Sequence, residues 1–220
     1  LKGAVAIVTG ANAGIGLSVS TELARRGATV IMACRSLDKA HAAKRALPLS
    51  EEAAARLVPM RCDLSDLYSV LEFAQAFGTQ RFRLDALICN AGVPPGLKQP
   101  TAQGFEQAFG VSFVAHYVLV RLLLPLLRKT TASRVVIVSS VTHWWSQHPL
   151  EADWDAAAFA RSSLFSQFVR GHDSYGDAKQ AASRLAVALR SRGIPASAAE
   201  PGAVRSDIWR YLPAAVRSLL

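Results

Sequence analysis

The sequence predicts an α/β protein: a single domain built on a doubly wound parallel sheet with helices on both faces. Three observations predict it. Apolar strand patterns alternate with helical ones along the 220 residues. The strands are apolar throughout, as strands covered on both faces must be. The first strand runs directly into a glycine-rich turn and a helix. A chain of this length buries a full core, and no internal repeat, low-complexity run or domain boundary interrupts it.

Taken in order, residues 5–9 are the first strand, and a helix runs from Ile15 to Arg26 after the turn Gly10–Gly16. Residues 28–34 are the second strand. Ser36 caps a helix through Ala46, which Pro48 ends. Residues 56–62 are the third strand, and Ser65 or Asp66 caps a helix to about Gly78. Residues 84–89 are the fourth strand, stopped by Asn90-Ala91-Gly92, with a Pro/Gly loop over 93–101. Helical material begins near Thr101 and Glu106 and continues to Lys129. Its apolar run, 111–127, is broken by His116, Arg121 and Pro125, so it is read as a buried helix and no transmembrane segment is expected. Residues 134–139 are the fifth strand. From 141 to 173 periodicity fails while Trp144, Trp145, Trp154, Phe159, Phe165 and Phe168 accumulate, the mark of a long functional loop. A helix follows over 174–192, capped by Asp173 or Ser174 and ended by Gly193. A short strand over 195–199 leads to Pro201-Gly202.

The formal charge is +9, but the arginines are scattered in sequence and no basic run carries interleaved aromatics. Solvated helix faces are expected, not a nucleic-acid partner. Cys34, Cys62 and Cys89 are far apart, without a C-x-x-C pair. They read as small buried thiols of a reducing compartment such as the cytoplasm, not as disulfides or metal ligands. No signal peptide is visible at Leu1, and a peripheral membrane location is expected only if a segment outside this stretch anchors the chain.

The unusual turns all follow strands, so they gather at the carboxyl edge of the sheet, where such folds bind ligands. In the loop G-x-x-x-G-x-G, Gly10 permits the tight turn, Gly14 admits a ligand close to the backbone, and Gly16 lets the helix pack on the strand. Its N–H groups and the helix behind them suit a pyrophosphate. Tyr175 and Lys179 lie four apart on one helix face. A neighbouring ammonium favours the phenolate, which makes such a Tyr a usable acid or base. Ser139 and Ser140 end the fifth strand, where a hydroxyl either bonds a substrate oxygen or satisfies loop backbone. Each motif alone is weak.

Together and in order, Thr9-Gly10-x-x-x-Gly14-x-Gly16, Asp63-Leu64, Asn90-Ala91-Gly92, Ser139-Ser140, Tyr175-x-x-x-Lys179 and Pro201-Gly202 resemble the short-chain dehydrogenase/reductase family over nearly the whole chain. The resemblance implies a Rossmann-type fold. Gly10, Asn12, Gly14, Ile15 and Gly16 would surround the cofactor phosphates and ribose. Asp63 and Leu64 would contact the adenine, and Asn90, Ala91 and Gly92 the second ribose. Tyr175 would be the proton donor or base. Lys179 would bind the nicotinamide ribose and lower the Tyr pKa. Ser140 would orient the substrate oxygen, and Pro201 and Gly202 would pack near the nicotinamide. Ala33-Cys34-Arg35-Ser36 stands where an NAD-binding chain has a carboxylate, and Arg35 pairs with a 2′-phosphate, so NADP(H) is expected over NAD(H). The string Ala33-Cys34-Arg35, the Ser-Ser-Val-Thr-His at 139–143 and the wide gap from Ser140 to Tyr175 look like the retinol dehydrogenase and WW-domain oxidoreductase branch. That branch implies a lipophilic substrate, a retinoid, a steroid or a similar carbonyl or alcohol. The aromatics of the gap either line an apolar pocket or anchor the loop.

Two departures bear on this. Many members carry Asn in the central helix, thought to hold a water that relays protons to the Lys; here Ser112 stands in Gly110-Val111-Ser112-Phe113. Only 18 residues follow Gly202, so the chain is expected to be one domain over 1–220 that lacks the usual C-terminal substrate lid and last strand, as a piece of a longer protein. These departures leave a second reading open, a nucleotide-binding relative of weakened chemistry that acts as a sensor or interaction module. The central helix is also the surface through which members pair, so a homodimer is the expected assembly.

Overall fold

The computed structural model describes residues 1–80, 83–93, 99–146, 174–202 and 204. Six parallel strands form one sheet: β1 (Val5–Thr9), β2 (Thr29–Cys34), β3 (Leu57–Arg61), β4 (Ala86–Cys89), β5 (Arg134–Val138) and β6 (Ala196–Ala199). Their order across the sheet is β3-β2-β1-β4-β5-β6. Every pairing is parallel, and Ile7 stands beside both Ile31 and Leu87. The order reverses between β1 and β4, which opens the crevice where such sheets take a ligand. Pro59 lies within β3. β3 is an edge strand, the place in a sheet where a residue without an N–H is tolerated.

The helices are α1 (Gly14–Arg25), α2 (Leu37–Ala46), α3 (Glu51–Ala55), α4 (Leu67–Gln80), α5 (Gln107–Phe109), α6 (Ala115–Lys129) and α7 (Ser174–Arg190). Ser36 and Ser50 cap α2 and α3 by accepting the N–H of Lys39 and Ala53, each at 3.3 Å. The short α3 is absent from the sequence reading, although Ser50-Glu51-Glu52 is a helix-start signal. The long central helix is expected as one element. A π-helical turn, Gly110–Val114, divides it between α5 and α6, and such turns recur at functional sites.

Side-chain alternation splits the core between the two faces of the sheet. On one face Ile7, Leu87 and Ile137 meet Phe73, Phe77, Phe113 and Leu119. On the other, Val8, Val30, Met32 and Ile88 meet Leu17 and Leu23. All three cysteines are free and buried. Gln107–Lys129 has the length and apolar composition of a membrane span, but 61% of its apolar window is buried in the fold. Residues 205–220, on which the expected lack of a substrate lid and last strand bears, and Trp154, Phe159, Phe165 and Phe168 of the long loop lie outside the described residues.

Candidate active site

Read across the sheet, the carboxyl ends of the strands present the expected residues in the spatial sequence Asp63, Arg35, Gly10, Asn90, Ser139–Ser140 and Pro201-Gly202. This follows from strand order alone. It lays out one long site, with the glycine loop at its centre and Tyr175 and Lys179 on α7 beside its β4–β5 end.

At the centre, Gly10 adopts φ +64°, a backbone region that L side chains resist. Its N–H donates to the Ala33 carbonyl at 2.9 Å. Gly16 is required for space: a Cβ there would collide with the Gly10 carbonyl oxygen and approach the Asn90 Nδ2 to 2.5 Å. No side chain caps the N-terminus of α1, and no acid lies in its first turn. Its first N–H groups and positive end therefore face the loop mouth, as an anion requires. Asn12 and Ile15 are half-buried beside it, and Arg35 is exposed at the end of β2. The Asp63 carboxylate accepts the Ser65 N–H at 3.0 Å and the Ser65 hydroxyl at 2.7 Å. Leu64 is buried in the core. These two residues shape the β3 end of the site more than they extend side chains into it.

Beneath the loop lies a buried polar hub that the sequence reading does not contain. The Thr9 hydroxyl, wholly buried, accepts the N–H of Asn90 at 2.9 Å and of Ala91 at 3.0 Å. The Asn90 amide donates to the Thr9 carbonyl at 2.9 Å. With both oxygen lone pairs taken, the Thr9 proton must be donated. The better-placed acceptor is His116 Nε2 at 2.9 Å; the Ile88 carbonyl lies at 3.4 Å. Nε2 is then unprotonated, and Nδ1–H donates to the Ser112 carbonyl at 3.2 Å. Burial supports this neutral form by pushing the His116 pKa down to about 4. In the sequence His116 is only a polar interruption of an apolar run. Its spacing of four from Ser112 is the one available signal.

On the β4–β5 side, Lys179 is 2% exposed. Its ammonium donates to the Val138 carbonyl at 2.7 Å and sits 5.3 Å from the centre of the Tyr175 ring. Burial lowers its pKa to about 8, against a smaller opposing effect of Cys89. A Cβ added at Gly92 would lie 3.4 Å from Ser112 Oγ, 3.6 Å from Lys179 Nζ and 4.0 Å from the Tyr175 ring. Gly92 is thus where the β4 turn, the π-turn and α7 converge. Ser112 Oγ accepts the Val93 N–H at 3.4 Å.

The two serines differ. Ser139 is buried, donating to the Lys179 carbonyl at 3.1 Å or pairing with Ser183 at 2.9 Å, and so ties β5 to α7. Ser140 is half-buried at the start of a 3-10 turn, Val141–Trp145, and accepts the Thr142 N–H at 3.3 Å. Its own O–H is the one able to reach a ligand. The turn is fastened to α7 by Ser146, 2.8 Å from Asp177 and 2.9 Å from Gln180. Pro201 and Gly202 are exposed beyond β6. Among the described residues no cluster of His, Cys, Asp and Glu could hold a metal.

A parallel sheet in this order, with a glycine loop at its switch point and a buried Lys against a Tyr, defines a dinucleotide-binding oxidoreductase fold. The profile of the short chain dehydrogenase family matches residues 4–176, and the chain belongs to that family. Its relatives put it on the retinol dehydrogenase branch. It is 37% identical over 231 residues to dehydrogenase/reductase SDR family member 13 of Bos taurus, covering 100% of this chain and 57% of that one. It is 36% identical over 211 residues to human retinol dehydrogenase 12, covering 96% and 65%. The chain thus spans less than two thirds of these relatives. Among solved structures, the Pseudomonas aeruginosa RhlG/NADP complex matches with TM-score 0.69 and 25% identity over 96% of this chain and 77% of that one. Salutaridine reductase of Papaver somniferum shares the fold, at TM-score 0.76 and 20% identity over 93% and 88%.

Proposed function

We propose that this chain is the single-domain unit of an NADP(H)-dependent oxidoreductase acting on a lipophilic carbonyl or alcohol, such as a retinoid or steroid. The observation that carries the reading is the Lys179 ammonium buried against Tyr175. The glycine loop fits a dinucleotide: Gly10 and Gly14 take positive φ in a turn free of bulky side chains at its mouth, and the α1 N-terminus is uncapped. Arg35, with no acid at the end of β2, would hold the 2′-phosphate. The nicotinamide, when bound, supplies or accepts the hydride. Below its pKa of about 8, Lys179 holds a positive charge that favours the Tyr175 phenolate. Tyr175 donates its proton to the oxygen of a carbonyl being reduced and recovers it in the reverse direction, while the Ser140 hydroxyl bonds the same oxygen. The relatives' names, retinol dehydrogenase among them, support the substrate class, and the NADP complex of a structural neighbour supports the cofactor. Pairing through α6 belongs to this reading, with Leu122 exposed on it.

A screen of NADPH oxidation over lipophilic ketones, aldehydes and quinones tests the proposal. Tyr175→Phe is expected to lower turnover by about 10²–10⁴ with NADPH binding retained. Arg35→Asp is expected to move the NADPH-to-NADH preference by about tenfold or more towards NADH, the scale of one charge-assisted pair. Tight NADPH binding without turnover on any carbonyl would instead establish the sensor reading.

A further inference from the structure

The arginines that are scattered in sequence are not scattered in space. Helices of this fold run against the strands, so helix ends and strand starts meet at the amino edge of the sheet, opposite the site. The last turns of α1, α2, α6 and α7 bring Arg25, Lys44 with Arg45, Arg128 with Lys129, and Arg190 there, followed by Arg26 and Arg192. The starts of β1, β3, β4 and β5 add Lys2, Arg56, Arg83 and Arg134. The acids of that edge are Glu22, Glu51, Glu52 and Asp85, and ion pairs take up all but Glu51, with Arg26, Arg56 and Arg83. Among the described residues of the site edge, Asp38, Asp63, Asp66, Glu106, Asp177 and Glu200 more than balance Arg35, Lys39, Arg61 and Lys179. The positive excess of the described chain therefore stands on one side. Complementing helix dipoles explains single cations in last turns. It explains neither the cations at strand starts nor the shortage of acids.

We propose that this amino edge docks on a membrane surface carrying anionic phospholipid. The charge is spread over helix ends on both faces of the sheet, not lined along a groove, and so matches a plane of charge better than a duplex. Among the described residues the exposed aromatics Tyr68 and Trp144 lie at the other edge, and none of them offers a stacking platform for bases here. Between the α6–β5 and α7–β6 loops is a cleft of about 320 Å³ flanked by Arg128 and Arg192, with Thr131 and Ser133 in its wall. A headgroup phosphate entering it would meet both arginines, Arg192 keeping its own bond from Nη1 to the Ala188 carbonyl. Docking in this sense leaves the site edge turned away from the bilayer, and it stands whether or not the proposed reaction does.

The test is co-sedimentation of the protein with vesicles of phosphatidylcholine alone or with about a third phosphatidylserine. Binding is expected only to the anionic vesicles and is expected to vanish near 1 M salt, where screening falls to about 3 Å. R128E/R192E is expected to cut it by about tenfold or more, R128Q/R192Q by less, and K39E at the site edge not at all. Equal binding to neutral vesicles, or full binding by R128Q/R192Q with its circular dichroism intact, would overturn the proposal. So would tighter binding to a random DNA duplex at equal phosphate concentration.

Discussion

The two halves of the sheet make their parts of the site by different means. The β3-β2-β1 half works with main chain: a glycine at positive φ, an uncapped helix end, and a helix drawn so close that Gly16 has no space for a methyl group. The β4-β5-β6 half works with buried polar side chains: Thr9 reaching across to the Asn90 turn, His116, Ser139 and Lys179, each satisfied by a named partner. Shape governs the first half and protonation the second. Lesions in the first should act through sterics and be indifferent to pH. Lesions in the second should carry a pH signature.

The contrast that reaches both stability and cofactor binding comes from Gly16→Ala. Alanine is about 1 kcal/mol better than glycine in a helix, so propensity alone predicts a gain. The clash is with a carbonyl oxygen and the Asn90 amide, which hold one another through Thr9, and relief requires α1 to move. The net result expected is a loss of about 2 kcal/mol. That is a fall in Tm of about 4–8 °C, unchanged between pH 6 and 8, with NADPH fluorescence titration showing lost binding. A stabilised variant would show that the close approach is not enforced.

His116 breaks the comparison from the other side. Between pH 6.5 and about 4 the unfolded chain's imidazole takes a proton that the buried one refuses. The unfolded state binds more protons there, so stability falls on acidification, by about 3 kcal/mol in all. His116→Gln keeps a neutral acceptor for Thr9 but cannot titrate. Denaturant melts should show near-normal stability at pH 7 and loss of this part of the acid slope. His116→Phe loses the acceptor too, and should be about 1–3 kcal/mol less stable than His116→Gln at every pH. If wild type and His116→Gln have parallel pH profiles, His116 is not held neutral in the hub.

The same division explains what was legible in the sequence. Among the described residues, all six strands and five of the seven helices are readable, because apolar runs and Ser caps are local signals. The glycine loop and the Tyr175/Lys179 pair are legible for the same reason: their spacing is short and periodic. The hub is not, because Thr9 and His116 are 107 positions apart and meet only once β1, β4 and α6 are assembled. The one-sided charge is hidden likewise, since helix ends and strand starts alternate along the chain and coincide only in three dimensions. The π-turn is invisible to a 3.6-residue pattern that continues on either side of it.

Ser112 in that turn carries the smallest predicted effect. Its hydroxyl reaches the Val93 N–H at 3.4 Å, a long bond, and faces Gly92 beside Lys179. If the family's Asn supports proton transfer to the Lys, the shorter serine leaves that support weak. Ser112→Asn should then raise turnover by about three- to tenfold, the worth of one repositioned hydrogen bond, with NADPH affinity unchanged. The site is tight, since Ser112 is 2% exposed, so the added atoms must fit towards Gly92. A rise in turnover with the Tm held would assign the departure to proton transfer. Unchanged turnover at full stability would show that the serine hydroxyl already serves as well as the longer amide would.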